Sequence, residues 1–339
     1  MMNPERIKVY YDLIRVGICS ESIKLFPGAP KRFFRINGAC FMLETSQGKY
    51  ALWMVSKEEN ELSAEIGLLR LLEEKGIRGF LFPIRLKNDY FYSTLKDGRV
   101  FFLTDWPDLR SISYRNDILS LLKLVINFRK VMDSPELSAI KFKTLQKSLI
   151  DRYQDMIKSF KSFWFLANYR LHPTVFDQLF LKHSDRFIKE AELSLNLIQN
   201  STYSALFEAK ESFRPIINNF NRSNLRALPN GQVMCISLKE CLLDVSLVDL
   251  ALLMAKTGRA NGWGSEWYEG ISQIYNESFL MTKDDLEVVR AYLAFPWESY
   301  RLVARYYHNR VNWPVCLFVE KMERILESNG NKNKLLFQV

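Results

Sequence analysis

The sequence has few of the residues that build metal or disulfide sites. Its 339 residues include only five cysteines and three histidines. The cysteines are scattered without C-x-x-C spacing, and their odd number argues against a disulfide framework as well as a zinc site. No histidine is spaced with a cysteine as a pair of metal ligands would be. Metal chemistry by histidine is therefore not expected, and the sequence predicts no cofactor.

Long apolar runs are also missing. No run of the sequence approaches the roughly 18 consecutive apolar residues that a membrane span requires. Residues 1–11 contain no apolar core of the kind found in signal peptides. We therefore expect synthesis and retention in the cytoplasm, with no membrane partner.

The sequence is instead rich in apolar and basic residues. Hydrophobic residues make up 48%, aromatic residues 14%, and the net charge is +9. This apolar content is ample for a large core, and the length suggests roughly two domains. A basic surface can bind nucleic acid, an acidic polymer or a phosphorylated ligand, although a solvated basic surface is the simpler interpretation.

The pattern of apolar residues changes near residue 105. Before it, helical spacing predicts helices over 5–18 and 60–76, and alternation with turn residues predicts strands over 22–26, 32–43, 50–55, 80–86, 90–94 and 100–104. After it, the chain is predicted to be almost entirely helical, over 118–132, 141–169, 173–198, 263–279, 284–308 and 314–329. The polar residues that follow are expected to fray.

One segment, residues 214–256, has the most specific order of elements. An apolar approach leads to a polar loop with Asn224, then to a turn and an apolar strand over 233–238, and then to Asp249-Leu250 at the start of an apolar helix. This order resembles the active-site segment of the aminoglycoside phosphotransferase and choline kinase superfamily. The superfamily motif is H-x-D, four residues and N, then a strand ending in I-D-F or I-D-L, then D-L-A. Asn224 matches the metal-binding Asn, and Asp249 matches the Asp that anchors the C-terminal lobe.

The resemblance implies an α+β, bilobal protein-kinase-like fold. Residues 1–105 would form a small N-lobe with an antiparallel sheet, and residues 106–339 a large helical C-lobe. Within the superfamily the chain is similar to the spore-coat CotS-type proteins, over residues 32–53, the hinge-like T-D-W-P-D-L at 104–109 and F-P-W-E-S-Y at 295–300. The last block is more specific than any single site residue. This similarity implies association with the bacterial spore coat.

The same resemblance places unsuitable residues at the positions that carry the chemistry. Trp53 stands where a Lys would hold the phosphates, although Glu65 matches the usual partner of that Lys. Ile217 replaces the His, Asn219 the catalytic Asp, and Ser237 the metal-binding Asp. An indole carries no charge, an amide is not a base, and a hydroxyl is a poorer Mg²⁺ ligand than a carboxylate.

Residues near these positions have further possible roles. Lys49 or Lys57 could supply a substitute cation, and Glu65 could be a surface carboxylate or pair with an Arg. Asp244 and Asp249 are expected to hold backbone amides in the loop and at the helix start, because Asp is a preferred N-cap residue.

The basic, aromatic helices between residues 141 and 189 allow two interpretations. Lys and Arg beside aromatic side chains could bind phosphates and bases. The alternative is an amphipathic helix with Lys158 and Lys161 as its solvated flank and one face turned inward, formed by Tyr153, Ile157, Phe160 and Trp164. The spacing favours the second.

The sequence thus predicts a pseudokinase with spore-coat proteins as partners, for which nucleotide binding is doubtful and nucleic-acid binding unlikely. Three alternatives remain open: an active ATP-dependent small-molecule phosphotransferase with an atypical metal site, a module that senses ATP without turnover, and a nucleic-acid-binding protein.

Overall fold

The computed structural model describes residues 4–36, 39–55, 59–209 and 212–337. These residues form two compact units, both discontinuous in sequence. Unit 1 comprises residues 1–113, 119–143 and 219–241, and unit 2 comprises 114–118, 144–218 and 242–339. The division differs from a single cut at residue 105, because residues 219–241 of the central segment belong to the same unit as the N-terminal sheet. The lobes of 1–105 and 106–339 stay a prediction.

Unit 1 is built on a five-stranded antiparallel sheet with the strand order β1-β2-β3-β5-β4. A smaller antiparallel sheet has the order β6-β8-β9. Elements are numbered in chain order over both units. The helices of unit 1 are α1 (Pro4–Arg15), α2 (Ser20–Ile23), α3 (Glu59–Glu74) and α4 (Ile118–Val131). Its strands are β1 (Pro30–Arg35), β2 (Cys40–Thr45), β3 (Lys49–Val55), β4 (Tyr92–Thr94), β5 (Val100–Asp105), β6 (Arg110–Ser111), β8 (Leu225–Ala227) and β9 (Val233–Cys235).

The centre of the large sheet is covered on both faces. In β3, the five residues from Tyr50 to Met54 are all buried, which is the pattern of a strand packed on both sides rather than of one that alternates with solvent. β1, at the edge of the sheet, has a mostly exposed pattern instead. Strand β3 is therefore the most enclosed part of the sheet.

Unit 2 is mainly helical, with a two-stranded antiparallel sheet of β7 and β10. Its elements are α5 (Leu149–Asn168), α6 (Val175–Gln199), α7 (Tyr203–Glu208), β7 (Arg214–Ile216), β10 (Leu242–Asp244), α8 (Leu247–Ala260), α9 (Ser265–Ser278), α10 (Lys283–Ala294), α11 (Trp297–Tyr307) and α12 (Val315–Phe337). Three of these helices begin with a capping box, in which a Ser or Thr and the Asp three residues later satisfy each other's backbone amides, at Ser148–Asp151, Thr174–Asp177 and Thr282–Asp285.

The core interpretation of the basic, aromatic helices is confirmed. Tyr153, Ile157 and Phe160 of α5 are buried, and Trp164 is partly buried against the same apolar cluster. Lys158 and Lys161 are exposed, and Lys161 forms an ion pair of 2.8 Å with Glu192 of α6. The aromatic side chains of this face stabilise the helical core.

Five local predictions were wrong. The helix predicted over 141–169 begins only at Leu149. Residues 20–23 form the short helix α2 instead of part of a strand, and residues 80–86 make only isolated bridges. The predicted helix over 284–308 is two helices, α10 and α11, which are separated at Phe295-Pro296 because proline lacks an amide donor and clashes with the preceding turn. The polar tail is ordered as part of α12, which continues to residue 337.

Among the described residues, no helix is both long and apolar enough to cross a membrane.

Candidate functional site

Trp53 lies in the middle of β3 and is only 7% exposed. Its indole stacks on Phe102, the residue opposite it on β5, with 6.0 Å between the ring centroids. The indole Nε1–H donates a hydrogen bond of 3.2 Å to Oγ1 of Thr104. The same apolar cluster includes Met234 and Ile236 of the central segment. The Lys position is thus filled by a neutral ring whose one donor is already bonded.

Of the two lysines considered as a substitute cation, only Lys49 is among the described residues. Lys49, at the start of β3, is half exposed, and its Nζ lies 3.6 Å from Oδ1 of the exposed Asp108. Lys57 lies outside the described residues. The only ion pair that the structure describes for Lys49 is therefore a solvated one, which is worth about 0–1 kcal/mol.

Glu65 is on α3 and is 5% exposed, so the prediction of a surface carboxylate was wrong. Its Oε1 accepts two hydrogen bonds, of 2.7 Å from Oγ of Ser237 and of 2.9 Å from the backbone amide of Leu238. The carboxylate can approach residue 237 because serine offers a donor there, whereas an aspartate would repel it. With serine at position 237, Glu65 bonds to the central segment, and these bonds link α3 to it.

Asn224 is buried and holds the loop of the central segment through both ends of its amide. Its Oδ1 accepts a hydrogen bond of 3.1 Å from the backbone amide of Ser237. Its Nδ2 donates a hydrogen bond of 3.1 Å to the carbonyl of Asn219. The backbone amide of Ile236 donates to the Asn224 carbonyl at 2.9 Å. Asn224 therefore acts as a structural link in this arrangement.

Asn219 stands where the resemblance expects a catalytic base. Its Oδ1 accepts hydrogen bonds from the backbone amide and the side chain of Asn221, at 3.2 and 2.9 Å. This is a local turn of the kind that Asn forms with the residue two positions later. The side-chain oxygen at this position is thus occupied by its own loop, and an amide could not take a proton from a hydroxyl in any case.

The remaining positions of the motif lie in unit 2. Ile217 is fully buried, and its backbone amide donates to Oδ2 of Asp249 at 2.7 Å. The amide of Asn218, a residue with a left-handed φ of 55°, donates to Oδ1 of Asp249 at 2.9 Å. Asp249 thus holds two backbone amides, although it is not the N-cap of α8, which is Ser246. Burial raises the pKa of Asp249 to about 7, against the opposing effect of these two hydrogen bonds.

Asp244 is also buried and holds a backbone amide. Its Oδ1 accepts a hydrogen bond of 2.7 Å from the amide of Val245, the next residue. Burial raises the pKa of Asp244 to about 6. Both aspartates therefore accept hydrogen bonds from backbone amides of unit 2.

The residues at the metal positions do not fit a magnesium ion. Mg²⁺ prefers anionic oxygen ligands in octahedral geometry. Here the ligand positions offer a serine hydroxyl, which donates to Glu65, and the Asn224 amide oxygen, which accepts from a backbone amide. In the part of the chain that the structure describes, no three His, Cys, Asp or Glu side chains are grouped as metal ligands.

Sequence reasoning missed two features of this region. Thr104, the partner of the Trp53 indole, is a buried polar residue that follows four apolar residues in β5. This polar residue in an apolar stretch was the signal that could have revealed the hydrogen bond. A cavity of about 110 Å³ beside Glu65 was not foreseen, and it is lined in part by Glu61, Lys141 and Lys239. Its residues are distant in sequence, so no local pattern could reveal it.

Comparison with known proteins shows the fold. No protein-family model matches the chain, and no curated protein matches it by sequence. An aminoglycoside phosphotransferase from Alicyclobacillus acidocaldarius has a similar structure, with a TM-score of 0.82, 17% identity and 93% coverage of both chains. AMP-bound spectinomycin phosphotransferase matches with a TM-score of 0.68 and 13% identity, over 94% of this chain and 96% of that one.

A choline/ethanolamine kinase family protein from Mesorhizobium loti is similar as well, with a TM-score of 0.56 and 11% identity, over 97% of this chain and all of that one. The predicted α+β, aminoglycoside-phosphotransferase-like fold is confirmed by these structures. The narrower resemblance to CotS-type proteins stays a prediction.

Proposed function

We propose that this protein is a catalytically inactive, kinase-like protein that acts by binding other proteins, as a structural or assembly component of the bacterial spore coat. The hydrogen bond between Ser237 and Glu65 is the observation that carries the inactivity. It joins the position of the metal-binding carboxylate to the position of the ion-pair glutamate, and both are thereby used in holding the protein together.

The two other losses act in the same direction. Phosphoryl transfer requires a cation on the phosphates and a carboxylate that orients the acceptor hydroxyl. Trp53 supplies no charge and is buried in an apolar cluster. Asn219 supplies no base, and general-base assistance is typically worth ~10²–10⁴-fold in rate. Three independent losses at linked positions favour a protein without turnover.

An exposed apolar surface in unit 2 supports a binding role. Phe165, Leu166, Tyr169, Leu171 and Val175, at the end of α5 and the start of α6, are 57, 54, 66, 93 and 64% exposed. We call these five residues the hairpin patch. Grouped apolar side chains of this kind mark protein interaction sites in soluble proteins.

The charges around the hairpin patch indicate the kind of partner. Residues 162–176 contain no Asp or Glu, and the charge of Arg170 is used within the chain, in an ion pair of 2.8 Å with the buried Asp177. An apolar partner surface with few charges would complement this segment. A coat protein with such a face is the partner that we propose.

The spore coat as the place of action rests on the resemblance of residues 32–53, 104–109 and 295–300 to CotS-type proteins. We propose synthesis in the cytoplasm followed by deposition on the spore surface. A fluorescent fusion, followed during sporulation of the bacterium that encodes the protein, should form a ring around the forespore. Leu171→Asp in the hairpin patch should leave the fluorescence diffuse, whereas Lys158→Asp, on the solvated flank of α5, should keep the ring. Diffuse fluorescence of the unaltered fusion would contradict the spore-coat assignment.

Calorimetry with ATP, with and without Mg²⁺, tests the inactivity directly. We expect no heat of binding at millimolar ATP in either condition. Micromolar binding that requires Mg²⁺ and disappears in Asn224→Leu would favour the alternative of an active phosphotransferase, for which the retained Asn224 and the shared fold are the supporting observations. Binding that persists in a chelator would favour an ATP sensor.

A further inference from the structure

A groove in unit 1 lies between α1 and the large sheet, and the proposed function does not use it. Its volume is about 520 Å³, and it is open to solvent. The residues that line it all lie between 12 and 99, so the groove is formed within unit 1. We propose that it is a binding site for a small aromatic anion, in which a negatively charged group is attached to a flat apolar ring.

The floor of the groove is aromatic. Phe33 of β1 and Phe41 of β2 stack on each other, with 5.0 Å between the ring centroids and 14° between the planes. Phe41 and Met54 are buried in the apolar cluster of the sheet, and Phe33 is only partly buried against it. Aromatic rings prefer offset-stacked or edge-to-face contact with one another. The accessible part of Phe33 thus offers a contact surface to a flat apolar ring.

The helix α1 covers only part of this face of the sheet. Val9 and Leu13 of α1 are buried in the same apolar cluster as Phe41. The helix ends at Arg15, and the groove is the space that remains between this end of α1 and the strands β1 and β2. A ligand bound there would contact the sheet and the helix together.

Two arginines bring positive charge to the aromatic floor. The Cζ atom of Arg35 on β1 lies 5.8 Å from the centre of the Phe41 ring. Arg15, in the last turn of α1, is exposed, and its guanidinium forms no hydrogen bond or ion pair within the described residues. A guanidinium has five donors in a planar fork that matches a carboxylate or a phosphate. Arg15 is therefore the residue that we expect to bind the charged group of the ligand.

A third arginine of the lining, Arg99, has a structural role. Its Nε donates a hydrogen bond of 2.8 Å to the Asp97 carboxylate, which balances its charge. Its Nη2 donates a hydrogen bond of 2.8 Å to the Val16 carbonyl, directly after the end of α1. Arg99 thus holds the end of α1 at the groove, and this contact positions Arg15.

One carboxylate, that of Asp12, also lines the groove. Asp12 precedes Arg15 by three residues on α1, so the two side chains are neighbours on the helix surface. Within the part of the chain that the structure describes, no ion pair joins them. Asp12 would repel an anion, but the guanidiniums of Arg15 and Arg35 outnumber it. The surplus of positive charge favours an anion over a cation.

The size of the groove sets the size of the ligand. Small-molecule sites have volumes of about 300–1,000 Å³, and the groove falls within this range. Because it is open, a ligand would remain partly in water, and its affinity should be modest. A fused pair of aromatic rings with one carboxylate, as in 2-naphthoate, is a suitable probe.

Titration of the full chain by ligand-observed NMR, with 2-naphthoate and with the neutral 2-naphthamide, tests the proposal. We expect 2-naphthoate to bind with a dissociation constant of about 1 mM, which corresponds to the affinity per atom of an ordinary small ligand. The amide has the same rings but no charge, so it should bind about tenfold more weakly.

Two substitutions on α1 should change the affinity in opposite directions. Arg15→Gln removes the unpaired guanidinium and should weaken binding of 2-naphthoate about tenfold. Asp12→Asn removes the repelling charge and should strengthen it about threefold. Arg32→Gln is the matched control, because Arg32 is an exposed arginine of β1 that does not line the groove, and it should leave the affinity unchanged.

Leu171→Asp, in the hairpin patch, distinguishes the groove from the other apolar surface and should also leave the affinity unchanged. Equal affinities for the two probes would overturn the proposal, as would the same affinity in Arg15→Gln as in the wild type. Loss of binding in Leu171→Asp would place the ligand on the hairpin patch instead. Absence of 2-naphthoate binding at about ten times the expected dissociation constant would show that the groove is no binding site for such anions.

Discussion

Two groups of buried polar side chains, one in each unit, differ in how they are satisfied. In unit 1, Glu65 and Ser237 bond to each other, and Asn224 bonds to the backbone at both ends of its amide. In unit 2, Ser299 has no partner in the described protein, and Lys332 has two long bonds to carbonyls. The first group lies where the family resemblance expects ligands, and the second where it expects none.

This difference shows that buried polar side chains can be matched within one unit and left partly unmatched in the other. The group in unit 1 is part of the scaffold, because Glu65 and Ser237 bond to each other and Asn224 bonds to the backbone. In unit 2 the Ser299 hydroxyl has no such neighbour among the described residues, whereas the Lys332 ammonium bonds to the carbonyls of Ala294 and Phe295.

The largest expected effect would come from restoring the missing carboxylate in unit 1. Ser237→Asp places a second negative charge within about 4 Å of the buried Glu65, and the repulsion should cost about 4 kcal/mol of unfolding free energy at pH 8. Urea unfolding measures this cost. It should shrink with Mg²⁺ if the restored acid completes a metal site. Ser237→Ala, which adds no charge, should show no such recovery.

Removing the Glu65 carboxylate, which accepts the two hydrogen bonds, should have a somewhat smaller effect. Glu65→Ala leaves the Ser237 hydroxyl and the Leu238 amide without their partner, which should cost about 3 kcal/mol. Glu73→Ala, on the same helix in a surface pair with Arg70, is the control and should cost less than about 1 kcal/mol. Equal costs in urea unfolding would show that Glu65 is no more structural than a surface residue.

The buried aspartates of unit 2 should make stability depend on pH. The raised pKa of Asp249, about 7, means that the folded state binds more protons than the unfolded state from about pH 4 to 7. This contribution to stability is present below pH 4 and is lost as the pH rises through 7, by about 2 kcal/mol between pH 5 and 8. Asp249→Asn should flatten the slope of unfolding free energy against pH, whereas Asp284→Asn, at an exposed position of α10, should keep it. An unchanged slope in Asp249→Asn would assign the dependence to other groups.

The smallest expected effect concerns Trp53 and Thr104. Thr104→Val keeps the shape of the side chain but removes the acceptor of the indole N–H, which should cost about 1 kcal/mol. In a Trp53→Phe background the same change should cost almost nothing, because the donor is already gone. A double-mutant cycle by urea unfolding measures this coupling. A cost that is equal in both backgrounds would place the effect of Thr104 in packing.

The sequence predicted much of the fold because apolar periodicity is local. The helix α3, the long helices α5 and α6 and the buried strand β3 follow from it. The end of α12 could not be predicted in this way, because polar composition indicates fraying unless buried partners such as Glu190 are known. The motif could assign residues to positions of the site, but it could not show which residues they form hydrogen bonds with. Glu65 and Ser237 are 172 residues apart, and only the folded chain shows that the serine supplies a donor to the glutamate.

The edges of the large sheet bear on whether two molecules could pair through their sheets. One edge strand, β1, carries Lys31, Arg32 and Arg35, all of which are exposed or half-buried, and the other, β4, is three residues long. Charged or very short edge strands hinder pairing with the edge of another molecule. Edge-to-edge pairing between the sheets of two molecules is thereby opposed at both ends of the sheet. Crowded copies of this chain should consequently remain separate units.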